Sequence, residues 1–264
     1  NGINIFNKQY FTVVDNAFVA MNINFVGKRI LVTGAGRGIG KDLALRLSKY
    51  EGQVIALSKK KENLDKLCKE DPRIQFICVD LSDWNATRKA VESVLPIDLL
   101  VNNAGVAHLN SFFDATPEDF DLTFTVNVKA ILNVSQIVAK NMIERKVGGS
   151  IVNISSQASQ AALKDHVVYC ASKGAVDMLS KTMALELGPY NIRVNTVNPT
   201  VILTEMGKLG WSDPKKARTM LDKIPLGRFG AEVSEVVDAI VYLLSNHSSM
   251  INGITLPVDG GFLA

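Results

Sequence analysis

Seven short apolar runs punctuate the chain: RILVT (29–33), VIALS (54–58), IQFICVD (74–80), IDLLVNN (97–103), SIVNISS (150–156), RVNTVNP (193–199) and ITLPVDG (254–260). Continuous runs of this kind, rich in β-branched residues, predict strands buried on both faces in a parallel sheet. The segments between them are long enough for the crossover helices that right-handed parallel connections require. In one of these segments Ala175, Leu179, Met183 and Leu187 recur at four-residue spacing, the apolar stripe of an amphipathic helix. No internal linker breaks the βαβ order. The pattern therefore predicts a single α/β domain over residues 21–264, a doubly wound parallel sheet of Rossmann type. Residues 1–20 look foreign to it and carry no basic stretch ahead of an apolar core, so a signal peptide is not expected. Met21 reads as a natural start, which makes 1–20 a leader or upstream extension.

Composition narrows the classes. Of 264 residues 47% are apolar and 21% charged, the balance of a folded domain with a large core. The 29 basic and 26 acidic residues are scattered, and no arginine-rich stripe invites nucleic acid. No stretch approaches the ~20 apolar residues of a membrane span. Cys68, Cys78 and Cys170 are sparse and unpaired in spacing, which predicts a reducing, cytoplasmic setting and no metal site.

Ligands of doubly wound folds collect at the carboxyl ends of the strands, so the polar residues there carry the chemistry. The first run leads into TGAGRGIG (33–40). Glycines in a strand-to-helix turn let backbone N–H groups approach phosphate at the positive end of the helix. The G-x-G-x-x-G fingerprint fails at Ile39, and a phosphate loop of the Walker type fails at Ala35 and Asp42. Gly34, Gly38 and Gly40 remain, in T-G-x-x-x-G-x-G spacing. The second run ends in Ser58, followed by Lys59, Lys60 and Lys61, where an NAD-binding chain usually carries a carboxylate. A 2′-phosphate is repelled by a carboxylate and attracted by these cations, with Arg37 of the glycine loop in reach, so NADP/NADPH is the expected cofactor. A solvated basic turn has the same sequence signature.

YCASK (169–173) places Tyr169 one helical turn ahead of Lys173. A tyrosine titrates near 10, and an adjacent ammonium favours its phenolate, which makes a general acid and base usable near neutrality. NISSQ ends the fifth run thirteen residues earlier and puts the Ser156 hydroxyl where it can hydrogen-bond a carbonyl oxygen. NNAG (102–105) ends the fourth run, and FTVNV carries Asn127 in the helical segment that follows. Each also has a plainer use, since asparagines cap and turn and serines end strands.

As an ordered set, these motifs resemble the short-chain dehydrogenase/reductase family over residues 24–264. The resemblance implies that Tyr169 is the catalytic acid and that Lys173 lowers its pKa and holds the nicotinamide ribose. Ser156 would position the substrate carbonyl, and Asn127 would anchor a water of the proton relay. On the cofactor side it implies Ile39 within the glycine loop, Asp80 with Leu81 at the adenine, and Asn103, Ala104 and Gly105 near the adjoining ribose. NPTVILT (198–204) would lie against the nicotinamide through Pro199, Val201, Ile202 and Thr204. VSQIVA (134–139), ALELGP (184–189), NPTV (198–201), WSDPKKA (211–217) and LPVDGGF (256–262) are similar to a branch that reduces short ketoses and α-dicarbonyls with NADPH. That similarity implies reduction of L-xylulose to xylitol and of diacetyl, by a homotetramer. This chain has Lys59-Lys60 where that branch has Arg-Thr, which keeps positive charge but loses a bidentate fork.

Gln157 and His166 can hydrogen-bond the hydroxyls of a small polar carbonyl substrate. Trp211 sits in an expected lid over 200–225 that excludes water. His166 can equally satisfy a loop carbonyl, and Trp211 can be a packing anchor. The rival readings are a reductase of 3-oxoacyl thioesters, steroids or retinoids, and a non-catalytic NADPH-binding sensor.

Overall fold

The computed structural model of the protein describes residues 23–204, 211–230 and 233–264; the expected leader over 1–20 and positions 205–210 of the expected lid lie outside the described residues. Seven parallel strands form one sheet in the order β3-β2-β1-β4-β5-β6-β7. They are β1 Arg29–Thr33, β2 Gln53–Ser58, β3 Gln75–Cys78, β4 Leu99–Asn102, β5 Gly149–Ile154, β6 Ile192–Pro199 and β7 Thr255–Val258. Each falls on one of the seven apolar runs. The order reverses between β1 and β4, and this is where a doubly wound sheet opens a crevice.

Helices cover both faces. On one side α1 (Gly38–Lys49), α2 (Lys61–Glu70) and a helix near the end of the described chain, Ser234–Leu244, pack on Ile30, Val32, Val54, Ala56 and Val101. On the other, α3 (Trp84–Glu92), α5 (Ala130–Glu144) and α6 (Val167–Leu187) pack on Leu31, Ile55, Leu57, Leu100 and Ile151. Adjacent residues of one strand thus serve opposite cores, which is why the central strands read as unbroken apolar runs. The exceptions are the edges. β3 is largely exposed, with Phe76 at 38%, and β7 is only half-buried, so the expectation of strands buried on both faces holds for the interior strands alone. An edge strand has one neighbour and less cover.

Helix starts follow local chemistry. Asp83 caps α3, Thr116 caps α4 (Pro117–Phe124), and Asp213 caps α7 (Pro214–Leu221) by accepting backbone N–H bonds. Arg37, at the head of α1, makes no such side-chain bond. One π-helical turn, Thr125–Lys129, joins α4 to α5. Contrary to the expectation that no stretch approaches the length of a membrane span, the continuous helical run Pro117–Glu144 is long and apolar enough to cross one, because three helical segments join end to end; 56% of its most apolar window is buried inside the protein, as for a core helix.

The two-layer core makes a contrast measurable. Ile151→Ala, at a fully buried site of β5, is expected to cost about 2–5 kcal/mol. Phe76→Ala on the exposed edge is expected to stay within about 1 kcal/mol. Urea unfolding of the two variants checks the difference.

Candidate active site

A cleft of about 570 Å³ opens across the carboxyl ends of β1 to β6. Every segment expected at the site reaches it: Gly34, Arg37, Gly38 and Ile39 after β1; Ser58, Lys59 and Lys60 after β2; Asp80 and Leu81 after β3; Asn103, Ala104 and Gly105 after β4. Ser156 and Gln157 follow β5, Tyr169, Lys173 and His166 come from the start of α6 and its cap, and Pro199, Val201, Ile202 and Thr204 follow β6. Trp211 closes one wall and packs on Phe229 with ring centroids 6.0 Å apart.

The glycine loop bends as its residues require. Gly34 and Gly38 have φ of +66° and +55°, in the region that side chains disfavour. A Cβ on Gly34 would lie 2.7 Å from Ala104 Cα, so the β1 and β4 turns touch through this glycine. Gly40 departs from expectation. It does not line the cleft; a Cβ there would strike Gly34 O and Asn103 Nδ2, so it is a packing glycine that lets α1 close on the β4 turn. Asn103 Nδ2 donates to Thr33 O and Gly34 O, bracing the loop from beneath.

This end fits a phosphorylated dinucleotide. The first turn of α1 has no capping side chain, Gly38 at its head lines the cleft, and Arg37, Ser58, Lys59 and Lys60 line it too. Two of the expected cofactor residues prove to be partners of each other: Lys59 Nζ lies 2.6 Å from Asp80 Oδ2. Burial pushes the Asp80 carboxyl up, but Lys59 and the Ser82 amide outweigh it and hold its pKa below the ordinary value. Asp80 therefore screens one of the lysines.

At the other end, Lys173 is 5% exposed and its ammonium donates to Ile154 O at 2.9 Å. Ser155 Oγ donates to the Lys173 carbonyl at 3.2 Å, a second tie between the end of β5 and α6. Ser156 Oγ accepts from Ala158 N and caps the short turn 157–159, and both Ser156 and Tyr169 line this end of the cleft. Burial draws the Lys173 pKa down to about 8, opposed by the charge of Asp177.

The expected lowering of the Tyr169 pKa is not found. Burial raises it, the Ser156 side chain pulls it back, and Cys170 adds to the rise. The reason is geometric: Lys173 Nζ points at the Ile154 carbonyl and lies 5.6 Å from the centroid of the phenol ring, not at its oxygen. Asn127 is held from several sides. It lies beneath the cleft wall, fully buried in the π turn, with Oδ1 accepting from Val106 N and Nδ2 donating to Val106 O and Ser172 Oγ. Its side chain braces the β4 loop and has no direct face on the cleft.

His166 takes up its plainer role at one nitrogen, with Nδ1 2.6 Å from Lys164 O, while its ring still lines the cleft. Gln157 is 2% exposed, and its Oε1 has no hydrogen-bond partner, an acceptor left for a bound hydroxyl. Several lining residues escape sequence reasoning, among them Asn63, Leu109, Leu122, Leu163 and Thr200. Leu109 and Leu122 stand out once the chain is folded, as apolar side chains at 40% and 43% exposure.

A family model described as short chain dehydrogenase matches residues 28–214. Together with the glycine loop and the Ser156, Tyr169 and Lys173 cluster this is decisive, and the chain belongs to the short-chain dehydrogenase family of oxidoreductases. It is 59% identical over 244 residues to the L-xylulose reductase of Mus musculus, covering 92% of this chain and all of that protein. It is 54% identical to the D-erythrulose reductase of Gallus gallus, over 92% of this chain and 98% of that one. A gluconate 5-dehydrogenase from Burkholderia cenocepacia J2315, solved with NADP and tartrate, superposes with a TM-score of 0.86 at 32% identity, over 91% and 96% of the two chains.

The buried lysine gives stability a pH dependence whose sign follows from counting protons. The unfolded chain keeps the Lys173 proton up to about 10.5 and the folded chain to about 8, so between these values the unfolded state binds more protons and stability rises with pH. The ionised lysine costs on the order of 3 kcal/mol below that window. Lys173→Met is therefore expected to melt higher than wild type at pH 7, with the difference shrinking towards pH 10.5. Paired melting curves against pH check this.

Proposed function

We propose that the chain reduces short ketoses and α-dicarbonyls to the corresponding alcohols with NADPH, Tyr169 serving as the general acid. The observation that carries this reading is that Tyr169 and Ser156 line one cleft together with the cationic residues Arg37, Lys59 and Lys60. When bound, NADPH supplies the hydride that the carbonyl carbon accepts. Arg37 and Lys60, with Lys59 shared between phosphate and Asp80, would hold its 2′-phosphate, and the open first turn of α1 its pyrophosphate.

The chain's own groups do the rest. Ser156 fixes the substrate oxygen, and Tyr169 gives that oxygen its proton as negative charge develops there. Because burial raises the phenol's pKa, Tyr169 is held protonated at neutral pH, the form that reduction needs. Lys173 contributes buried positive charge beneath it, and Asn127 contributes by holding the Val106 segment in place. The free acceptor of Gln157 and the ring of His166 suit a substrate with hydroxyls beside its carbonyl. The names of the mouse and chicken relatives, reductases of L-xylulose and D-erythrulose, support this substrate class. Leu109, Leu122, Leu163 and Trp211 also line the cleft and favour, as a second reading, a carbonyl with an apolar arm.

A homotetramer follows from the same reading, supported by exposed apolar residues on α5 and α6: Leu132, Met178 and Leu185. A reducing compartment such as the cytoplasm suits the three free thiols, Cys68, Cys78 and Cys170.

The test is oxidation of NADPH at neutral pH with L-xylulose, diacetyl and a 3-oxoacyl thioester in parallel. Turnover of the first two is expected, and Tyr169→Phe should lower it by about a hundredfold or more while NADPH still binds. Turnover of the thioester alone would overturn the substrate assignment. NADPH binding without turnover of any carbonyl would point to a sensor.

A further inference from the structure

The buried polar groups that the proposed reaction leaves unused converge on one carboxylate. Asp177 lies on α6 one turn beyond Lys173 and is 8% exposed. Its two oxygens stand 3.1 and 3.0 Å from the side-chain nitrogen of Asn198, at the end of β6. The same nitrogen is 3.1 Å from Ser156 O and 2.9 Å from Ser159 Oγ. Asn198 is fully buried and its Oδ1 has no partner.

That orientation is dictated by chemistry. A carboxylate and a carbonyl can only accept, so the amide must turn its N–H groups towards Asp177 and Ser156 and leave its oxygen unsatisfied. An orphaned buried acceptor is unfavourable, so something must hold the amide this way round. The carboxylate of Asp177 does so through charge-assisted bonds.

We propose that Asp177 is a positioning residue for the reaction: it locks the Asn198 amide, which holds the Ser156–Ser159 turn and so aims the Ser156 hydroxyl at Tyr169. The inference rests on the reading of Ser156 and Tyr169 given above. The same carboxylate acts on Lys173 through its charge. Lys173 is faced by Tyr169 and Asp177 from its own helix, by the Ile154 carbonyl at the end of β5, and by Gly105 and the Asn127 amide from the neighbouring segments. Asp177 is the charged member of that set.

Two substitutions separate the roles. Asp177→Asn keeps an acceptor towards Asn198 and removes the charge; Asp177→Leu removes both. The experiment combines NADPH-dependent reduction of L-xylulose across pH, direct NADPH binding, a 13C NMR titration of labelled lysine, and amide hydrogen exchange at Ser156–Ser159. Asp177→Leu is expected to lower kcat by at least about tenfold, with NADPH affinity retained and exchange faster at the turn. Asp177→Asn is expected to keep the turn protected and to move the Lys173 titration, with the matching limb of the rate profile, about one pH unit lower. Wild-type kcat and protection in Asp177→Leu, or an unmoved Lys173 titration in Asp177→Asn, would overturn the proposal. Should the wild type reduce no carbonyl, the proposed function fails, while the exchange and the lysine titration still decide the role of Asp177.

Discussion

A single buried ammonium organises the site. Lys173 lines the cleft with its charge turned to the Ile154 carbonyl, and the Ser155 hydroxyl returns a bond to the Lys173 backbone. These two ties fasten the start of α6 to the end of β5. Once the helix is fixed at that point, its 3.6-residue turn decides what stands above and below the lysine: Tyr169 one turn towards the cleft, Asp177 one turn into the interior. Burying a cation is unfavourable in itself. A fold optimised only for stability would place an apolar residue there, so the arrangement belongs with sites where function is kept at the expense of stability.

The rest of the cleft divides between backbone and side chains. At the glycine end the chain clears space and braces its turns: Gly34 lets the β4 turn approach, and Asn103 ties down the carbonyls beneath. At the tyrosine end side chains act directly, and each is held by a neighbour on another element. Asn127 holds Val106, and Asn198 holds Ser156. The two ends meet where the strand order reverses between β1 and β4, which spreads the carboxyl-end loops apart.

Much of this was legible from residue order. RILVT coincides with β1 because Gly34, at φ +66°, ends the strand where the apolar run ends. Tyr169 and Lys173 could be paired because helical spacing puts residues four apart on one face. What stayed hidden depends on distant neighbours. Asp177 reads as an ordinary solvated helix residue until Asn198, 21 positions away, is folded against it. The exposure of β3 depends on its being an edge, which no local pattern records. The direction of the Tyr169 shift required knowing where the ammonium points. Gly40 and Gly34 look alike in the motif, and only packing separates the glycine that spaces a helix from the one that lines the cleft.

The parallel sheet has a consequence for how the site comes into being. Its pairings join remote segments: Arg29 and Asp98, bonded at the base of the β1–β4 junction, are 69 residues apart in the chain. Closing such loops is entropically unfavourable before the contacts they allow can compensate, so chains of this topology assemble slowly and cooperatively. Ser156, Lys173 and Asn198 come from three elements joined only by contacts of this kind. The site therefore depends on the pairings of the native sheet, because no one segment of the chain carries it.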